Sequence, residues 1–154
     1  MEFSKETKIG IIGLGSMGQP IADNIIKAGF HLIFSSRTSK TVDNFKRKAI
    51  LASSPVDVIE QAEIILFVLP TDKEIKEIVS AAKNKLSQKT LINLSTIAPK
   101  SAIKLQKLVK KFGGEYLECP MSGSRKPALD GTLLLLTAGE PEKLNSLTSL
   151  FSSF

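Results

Sequence analysis

One cysteine, one histidine, one tyrosine and no tryptophan occur among the 154 residues of the chain. A lone thiol, Cys119, excludes an internal disulfide and agrees with a reducing compartment, so the cytoplasm is the expected location. So few histidines and cysteines leave no cluster with metal-ligand spacing. Long apolar runs are missing as well. The longest, "IILFVL" at 64–69 and "LLLL" at 133–136, fall far short of the ~20 residues that span a bilayer, so no membrane partner is expected. The opening "MEFSKETK" has no hydrophobic h-region, so no signal peptide is expected.

What is present describes an ordinary globular chain. Hydrophobic residues make up 42% and charged residues 23%, which excludes a disordered acidic or basic tail. The length suits one domain over 1–154 with a substantial core. The net charge of +6 favours anionic partners in principle. Its densest cluster, "KRK" at 46–48, falls where a short helix closes and has no interleaved aromatic residues. Nucleic acid is therefore not an expected partner, and a solvated lysine-rich surface is the simpler reading.

The pattern along the chain alternates strand and helix. "KIGII" at 8–12 is apolar and β-branched, hence a strand. Met17, Ile21, Ala22, Ile25 and Ala28 then recur at helical spacing, with Pro20 in the first turn and Gly29 as a stop. "HLIFS" is a second strand, followed by a short helix around 39–48. Ser54 and Pro55 read as N-cap and first residue of another helix. "EIILFVLP" is a continuous apolar strand of the type buried on both faces. A helix carrying Ile75, Ile78, Val79, Ala82 and Leu86 follows, then the strand "TLINL" and a helix that starts at Pro99, carries Ala102, Leu105, Leu108, Val109 and Phe112 on one stripe, and ends at Gly113 and Gly114. "EYLEC" and "TLLLLTAG" read as further strands, and one last helix begins at Pro141 with Leu144, Leu147 and Phe151 in register. Strands separated by helices predict an α/β fold with a doubly wound, mostly parallel sheet of the Rossmann type.

The first strand runs into "GLGSMG", which places Gly13, Gly15 and Gly18 between strand and helix. In such a unit the first glycine permits a tight turn, the second admits a diphosphate against the backbone, and the third lets helix and strand pack closely. The helix start offers unpaired N–H groups and the positive end of its dipole. Gly13, Leu14, Gly15, Ser16, Met17 and Gly18 are thus the expected contacts of a dinucleotide; a turn used only for packing is the alternative. At the end of the second strand, an NAD site places an acidic residue for the ribose 2′-hydroxyl. This chain reads "FSSRTSK" there, with no acid. Ser36, Arg37 and Thr38 offer a guanidinium and hydroxyls suited to a 2′-phosphate, which predicts NADP rather than NAD. An Arg37 that is merely exposed is the alternative.

Taken together, five ordered stretches resemble the β-hydroxyacid dehydrogenases, the family of 3-hydroxyisobutyrate dehydrogenase, 6-phosphogluconate dehydrogenase and the glyoxylate/succinic semialdehyde reductases. They are "IGIIGLGSMGQPIADNIIKAGF", "SSRT", "FVLPTDKEI", "INLSTIAPKSA" and "ECPMSGSRKPALDGTLLLLTAG". The S-G-S and K-P-A variants are most similar to the NADPH-dependent reductase branch. The resemblance implies cofactor contacts from Leu69, Pro70 and Thr71, with Leu69 and Pro70 beside the ribose, and from Thr96 against the nicotinamide end. It implies that Ser122, Gly123 and Ser124 hold the carboxylate of a small substrate such as glyoxylate, succinic semialdehyde or a 3-hydroxy acid. Read from the residues alone, Thr96 is also a candidate helix N-cap, and 122–124 a polar turn. Three positions depart from the family pattern: Ser124 and Pro127 replace usual glycines, and Glu74 stands where some NAD-using relatives have asparagine. Cys119 and His31 read as a buried small residue and a surface strand start.

The family's catalytic lysine lies on a long helix beyond the dinucleotide domain, followed by an all-α domain that builds the dimer. Neither has a counterpart in these 154 residues, and Lys126 does not match the lysine's position. The expectation is a dinucleotide domain cut near its C-terminal end, with no catalytic residue of its own and slow or no hydride transfer alone. A separate chain carrying the helical domain would complete it, and Phe151 and Phe154 are expected on an exposed apolar patch. A non-catalytic NADP-binding module or sensor is the second reading, and a basic nucleic-acid-binding domain a remote third.

Overall fold

The computed structural model describes residues 4–154 of the chain. Six parallel strands form the main sheet: β1 (Lys8–Ile12), β2 (His31–Phe34), β3 (Ile50–Leu51), β4 (Ile64–Phe67), β5 (Thr90–Asn93) and β6 (Glu115–Glu118). Their order is β3-β2-β1-β4-β5-β6, so the chain reverses its direction of sheet growth between β1 and β4. The register is continuous there, with Ile9 opposite both Leu32 of β2 and Ile64 of β4.

The alternation of side chains across the strands divides the core into two layers. Ile9, Ile11, Leu32, Phe34, Ile64, Leu66, Ile92 and Leu117 face one side. There they meet Ile21, Ala22 and Ile25 of α1 (Gly18–Lys27) and Phe45 of α2 (Ser39–Phe45). Ile12, Ile33, Ile65, Phe67, Leu91 and Tyr116 face the other side. They are covered by Val58 and Ile59 of α3 (Pro55–Gln61), Ile75 and Val79 of α4 (Asp72–Ala81), and Leu105 and Val109 of α5 (Pro99–Lys111). The local signals act as expected. Ser54 Oγ accepts from Asp57 N–H at 3.1 Å before Pro55, and Gly113 closes α5 at φ +78°. At Gly10 a Cβ would stand 2.7 Å from Val58 Cγ1, so the missing side chain lets α3 lie directly on β1.

Several features depart from the sequence-based expectation. The leucine run does not add a further parallel strand. Only β8 (Leu134–Leu135) forms, antiparallel to β7 (Met121–Ser122), and a bridge joins Glu118 to Ala138. A short helix that the sequence pattern did not predict, α6 (Arg125–Asp130), follows residues 122–124 and ends at Gly131 in the left-handed region. The last helix is broken at Leu147 into α7 (Pro141–Ser146) and α8 (Thr148–Phe151). Leu147, Leu150 and Phe154, at i, i+3 and i+7, enter the same core layer as α1. Phe154 is therefore 2% exposed, and Phe151 only partly so, which corrects the expected patch of Phe151 and Phe154. The exposed apolar side chains are instead Leu129, Leu134 and Leu136, with Ile103 on α5 and Ile50 and Leu51 at the far sheet edge. Among the described residues no helix is long and apolar enough to cross a membrane.

Candidate functional site

An open cleft of about 480 Å³ lies at the carboxyl ends of the strands, beside the point where the sheet order reverses. This is where ligands enter open α/β sheets. Four segments line it: residues 15–18 after β1, 68–70 after β4, 94–96 after β5, and Met121 and Gly123 after β6. No acidic side chain is among the lining residues.

The glycine turn forms the first wall, and its three glycines stand in different surroundings. Gly13 has φ +107°, and a Cβ there would fall 2.0 Å from the Val68 carbonyl oxygen. A Cβ on Gly18 would fall 1.8 Å from the carbonyl oxygen of Gly13, so the start of α1 rests directly on the end of β1. A Cβ on Gly15 would meet no atom within 4 Å. Nothing among the described residues fills the space beside Gly15, which opens on the cleft. The turn's own bonds run from Gln19 N–H to Gly15 O at 3.1 Å and from Ile21 N–H to Met17 O at 3.4 Å. Among the described residues these leave the N–H groups of Ser16, Met17 and Gly18 without an acceptor. Gln19 Nε2 donates to Leu14 O at 3.0 Å and braces the turn from behind. Three unsatisfied N–H groups at the start of a ten-residue helix form a seat for an anion.

The second wall is set by a residue that the motifs did not single out. Ser95 is 7% exposed, and its Oγ accepts from Leu69 N–H at 2.9 Å. This bond ties the segment after β4 to the segment after β5, and so sets the spacing of Leu69 and Pro70 from Thr96. Ser95 N–H in turn donates to Asn93 Oδ1 at 3.1 Å, and Asn93 Nδ2 donates to Ser95 O at 3.0 Å and to the Glu118 carboxylate at 3.1 Å. The Tyr116 hydroxyl donates to the same carboxylate. Burial raises the Glu118 carboxyl above its ordinary value despite these two donors. Burial, with Glu118 as acceptor, also raises the Tyr116 phenol. Cys119 is fully buried and its thiol is pushed up to about 12 by burial and the neighbouring Glu118 charge, so it stays a protonated core residue. Ser95 and Asn93 were legible only as part of a strand end. Their role depends on contacts 26 and 25 residues away in sequence, which no local pattern encodes.

Of the residues expected from sequence, Gly15, Ser16, Met17, Gly18, Leu69, Pro70, Thr96 and Gly123 come together on the cleft, with Gly13 and Leu14 in the turn behind them. Thr96 is exposed and caps no helix, since the residue before α5 is Ala98. Ser36, Arg37 and Thr38 follow β2, at the same end of the sheet but outside the cleft lining. Ser36 Oγ accepts from Thr38 N–H at 3.2 Å, which bends the chain around Arg37. Arg37 is exposed and has no carboxylate partner among the described residues. Thr71 lies outside the lining: its hydroxyl caps α4 by accepting from Glu74 N–H at 3.3 Å and donates to the Glu74 carboxylate at 3.1 Å. Ser122 is exposed on β7, and Ser124 is exposed at the N-cap of α6.

Known proteins share this arrangement. The chain is 36% identical over 142 residues to the mitochondrial 3-hydroxyisobutyrate dehydrogenase of Rattus norvegicus, covering 89% of this chain and 42% of the rat protein. It is 38% identical over 138 residues to the chloroplastic glyoxylate/succinic semialdehyde reductase 2 of Arabidopsis thaliana, covering 86% of this chain and 38% of that protein. A solved 3-hydroxyisobutyrate dehydrogenase of Mycobacterium tuberculosis has the same fold, with a TM-score of 0.89 at 22% identity over 96% of this chain and 52% of that one. The chain thus spans about half the length of the relatives it matches or less. The family model described as the NAD binding domain of 6-phosphogluconate dehydrogenase matches residues 8–154, and the chain belongs to that family.

Proposed function

We propose that the chain binds NADP(H) and serves as the dinucleotide domain, over 1–154, of a β-hydroxyacid dehydrogenase-type oxidoreductase. The observation that carries this reading is Gly15, a backbone position kept bare with nothing of the protein's own to fill the space, beside three N–H groups without acceptors. The diphosphate would rest there, where the N–H groups and the positive end of α1 favour negative charge. Leu69, Pro70 and Thr96 would lie along the ribose and nicotinamide, with Thr71 at the rim of α4. When bound, the nicotinamide supplies a hydride for transfer to or from the carbonyl carbon of a small carboxylic acid. Ser122, Gly123 and Ser124 would hold that acid's carboxylate through hydroxyl and backbone N–H groups. No residue of the chain is assigned as the proton donor, so these 154 residues alone bind cofactor but turn it over slowly or not at all.

The preference for NADP over NAD rests on Arg37. It is exposed, unpaired and held at the end of β2 by the Ser36–Thr38 bend, where an acidic residue would repel a 2′-phosphate. Replacing Arg37 with Ala removes a charge-assisted contact worth ~1.5–3 kcal/mol, so NADPH affinity should fall roughly 10- to 100-fold while NADH affinity stays unchanged. Titration of both cofactors checks this; equal losses for the two would refute the assignment.

A further inference from the structure

We propose that Arg125 is a second anchor for the dinucleotide's diphosphate, reaching it from the wall formed by residues 121–125. The inference rests on the dinucleotide reading and adds to it a contact at a position that the family's serine–glycine pattern leaves open.

Arg125 is the first residue of α6, 109 residues from the glycine turn in sequence, yet its Nη1 donates to Ser16 O at 3.3 Å. Ser16 lines the cleft, as does Gly123 just before Arg125. The guanidinium therefore links the segment after β7 to the glycine turn at the edge of the cleft. It has five N–H donors, and this contact uses one. Its neighbour Lys126 is neutralised by Asp130 at 2.6 Å, whereas no carboxylate pairs with Arg125 among the described residues. A positive charge without a carboxylate partner thus stands on the carbonyl side of the turn whose N–H groups lack acceptors. The planar guanidinium fork suits two phosphate oxygens at once.

The backbone beneath Arg125 is fixed. Asn24 of α1, 9% exposed, donates from Nδ2 to Ala128 O at 2.9 Å, and Ala128 is fully buried. This contact locks α6 onto the helix that begins at the glycine turn, so Arg125 and the turn move as one body. Binding would exchange part of a carbonyl contact for a charge-assisted one, with no rearrangement of the backbone.

The test is the dissociation constant of NADPH and of NADH for the wild-type chain, Arg125→Ala and Arg125→Lys. Both cofactors contain the diphosphate, so Arg125→Ala should weaken both by the same factor, about tenfold or more, and leave their ratio unchanged. Arg125→Lys, which keeps the charge but not the fork, should recover part of the loss. Arg125 is exposed, so the melting temperature should not move; were it to fall, the lysine variant decides whether charge or fold is responsible. Full NADPH affinity in Arg125→Ala, or a loss for NADPH alone, would overturn the anchor while leaving the dinucleotide reading intact. A wild-type chain that binds neither cofactor would overturn both.

Discussion

The three glycines of the turn separate a demand of the fold from a demand of a ligand. Gly18 faces the carbonyl oxygen of Gly13 so closely that a single methyl group would drive α1 off β1. Gly18→Ala should therefore cost about 3 kcal/mol or more, seen as a large fall in melting temperature. Gly15 has an ordinary backbone conformation and open space where its side chain would be. Gly15→Ala should leave the melting temperature unchanged or slightly raised, because a Cβ restricts the unfolded chain more than the folded one. The same variant should lose dinucleotide affinity by tenfold or more, since the methyl group occupies the diphosphate's approach. Thermal melts and cofactor titrations on the two variants read both outcomes. A Gly15→Ala chain that melts early would mean that the turn is built for packing alone. In the sequence the spacing of the three was plain, but not which of them the fold needs. That division depends on Val68 and on the Gly13 carbonyl, brought near by the sheet.

At the scale of elements, the carboxyl ends of β5 and β6 hold the cleft's second wall through one buried polar chain. It runs from Leu69 N–H through Ser95 and Asn93 to Glu118 and Tyr116. Burial raises the Glu118 carboxyl, so the folded chain holds this proton more tightly than the unfolded one. Its contribution to stability is therefore complete below the ordinary value of 4.5 and is lost as pH rises through the raised folded value. Glu118→Gln keeps an acceptor for Asn93 and Tyr116 but carries no charge. Its stability relative to the wild type should increase as pH rises above 4.5 through the raised folded value, measured by denaturant unfolding at each pH; a difference that stays constant or shrinks would contradict the buried-carboxyl account. The main strands and longer helices were legible because their signals are local: apolar β-branched runs, Ser54 before Pro55, glycine after α5. What was not legible is short or set from outside. β3 and β7 have two residues each and form only because β2 and β8 lie beside them. α6 carries Pro127 and lacks a side-chain cap, and it is held by Asn24 instead. The break between α7 and α8 has no such signal: Leu147, Leu150 and Phe154 stand at the i, i+3, i+7 spacing of one helical face and enter one core layer.

For the whole molecule, the reversal of strand order between β1 and β4 opens a cleft, and the chain's own features converge on it from four separate segments. The sheet accounts for this convergence: parallel strands bring all their carboxyl ends to one edge, so the residues that follow them become neighbours. The positive charges at Arg37 and Arg125 stand at that same end, without carboxylate partners, and no acidic side chain lines the cleft between them. On the proposed reading, Arg125 serves the diphosphate and Arg37 a 2′-phosphate. The exposed leucines at 134 and 136 lie on or beside β8, whose partner strand β7 carries Met121 of the cleft lining. The most direct measurement is a crystal structure of the chain grown or soaked with saturating NADPH. The account predicts diphosphate oxygens about 3 Å from the N–H groups of residues 16–18, over the bare backbone of Gly15. A cofactor bound elsewhere, or a turn that stays closed to it at saturation, would contradict the account.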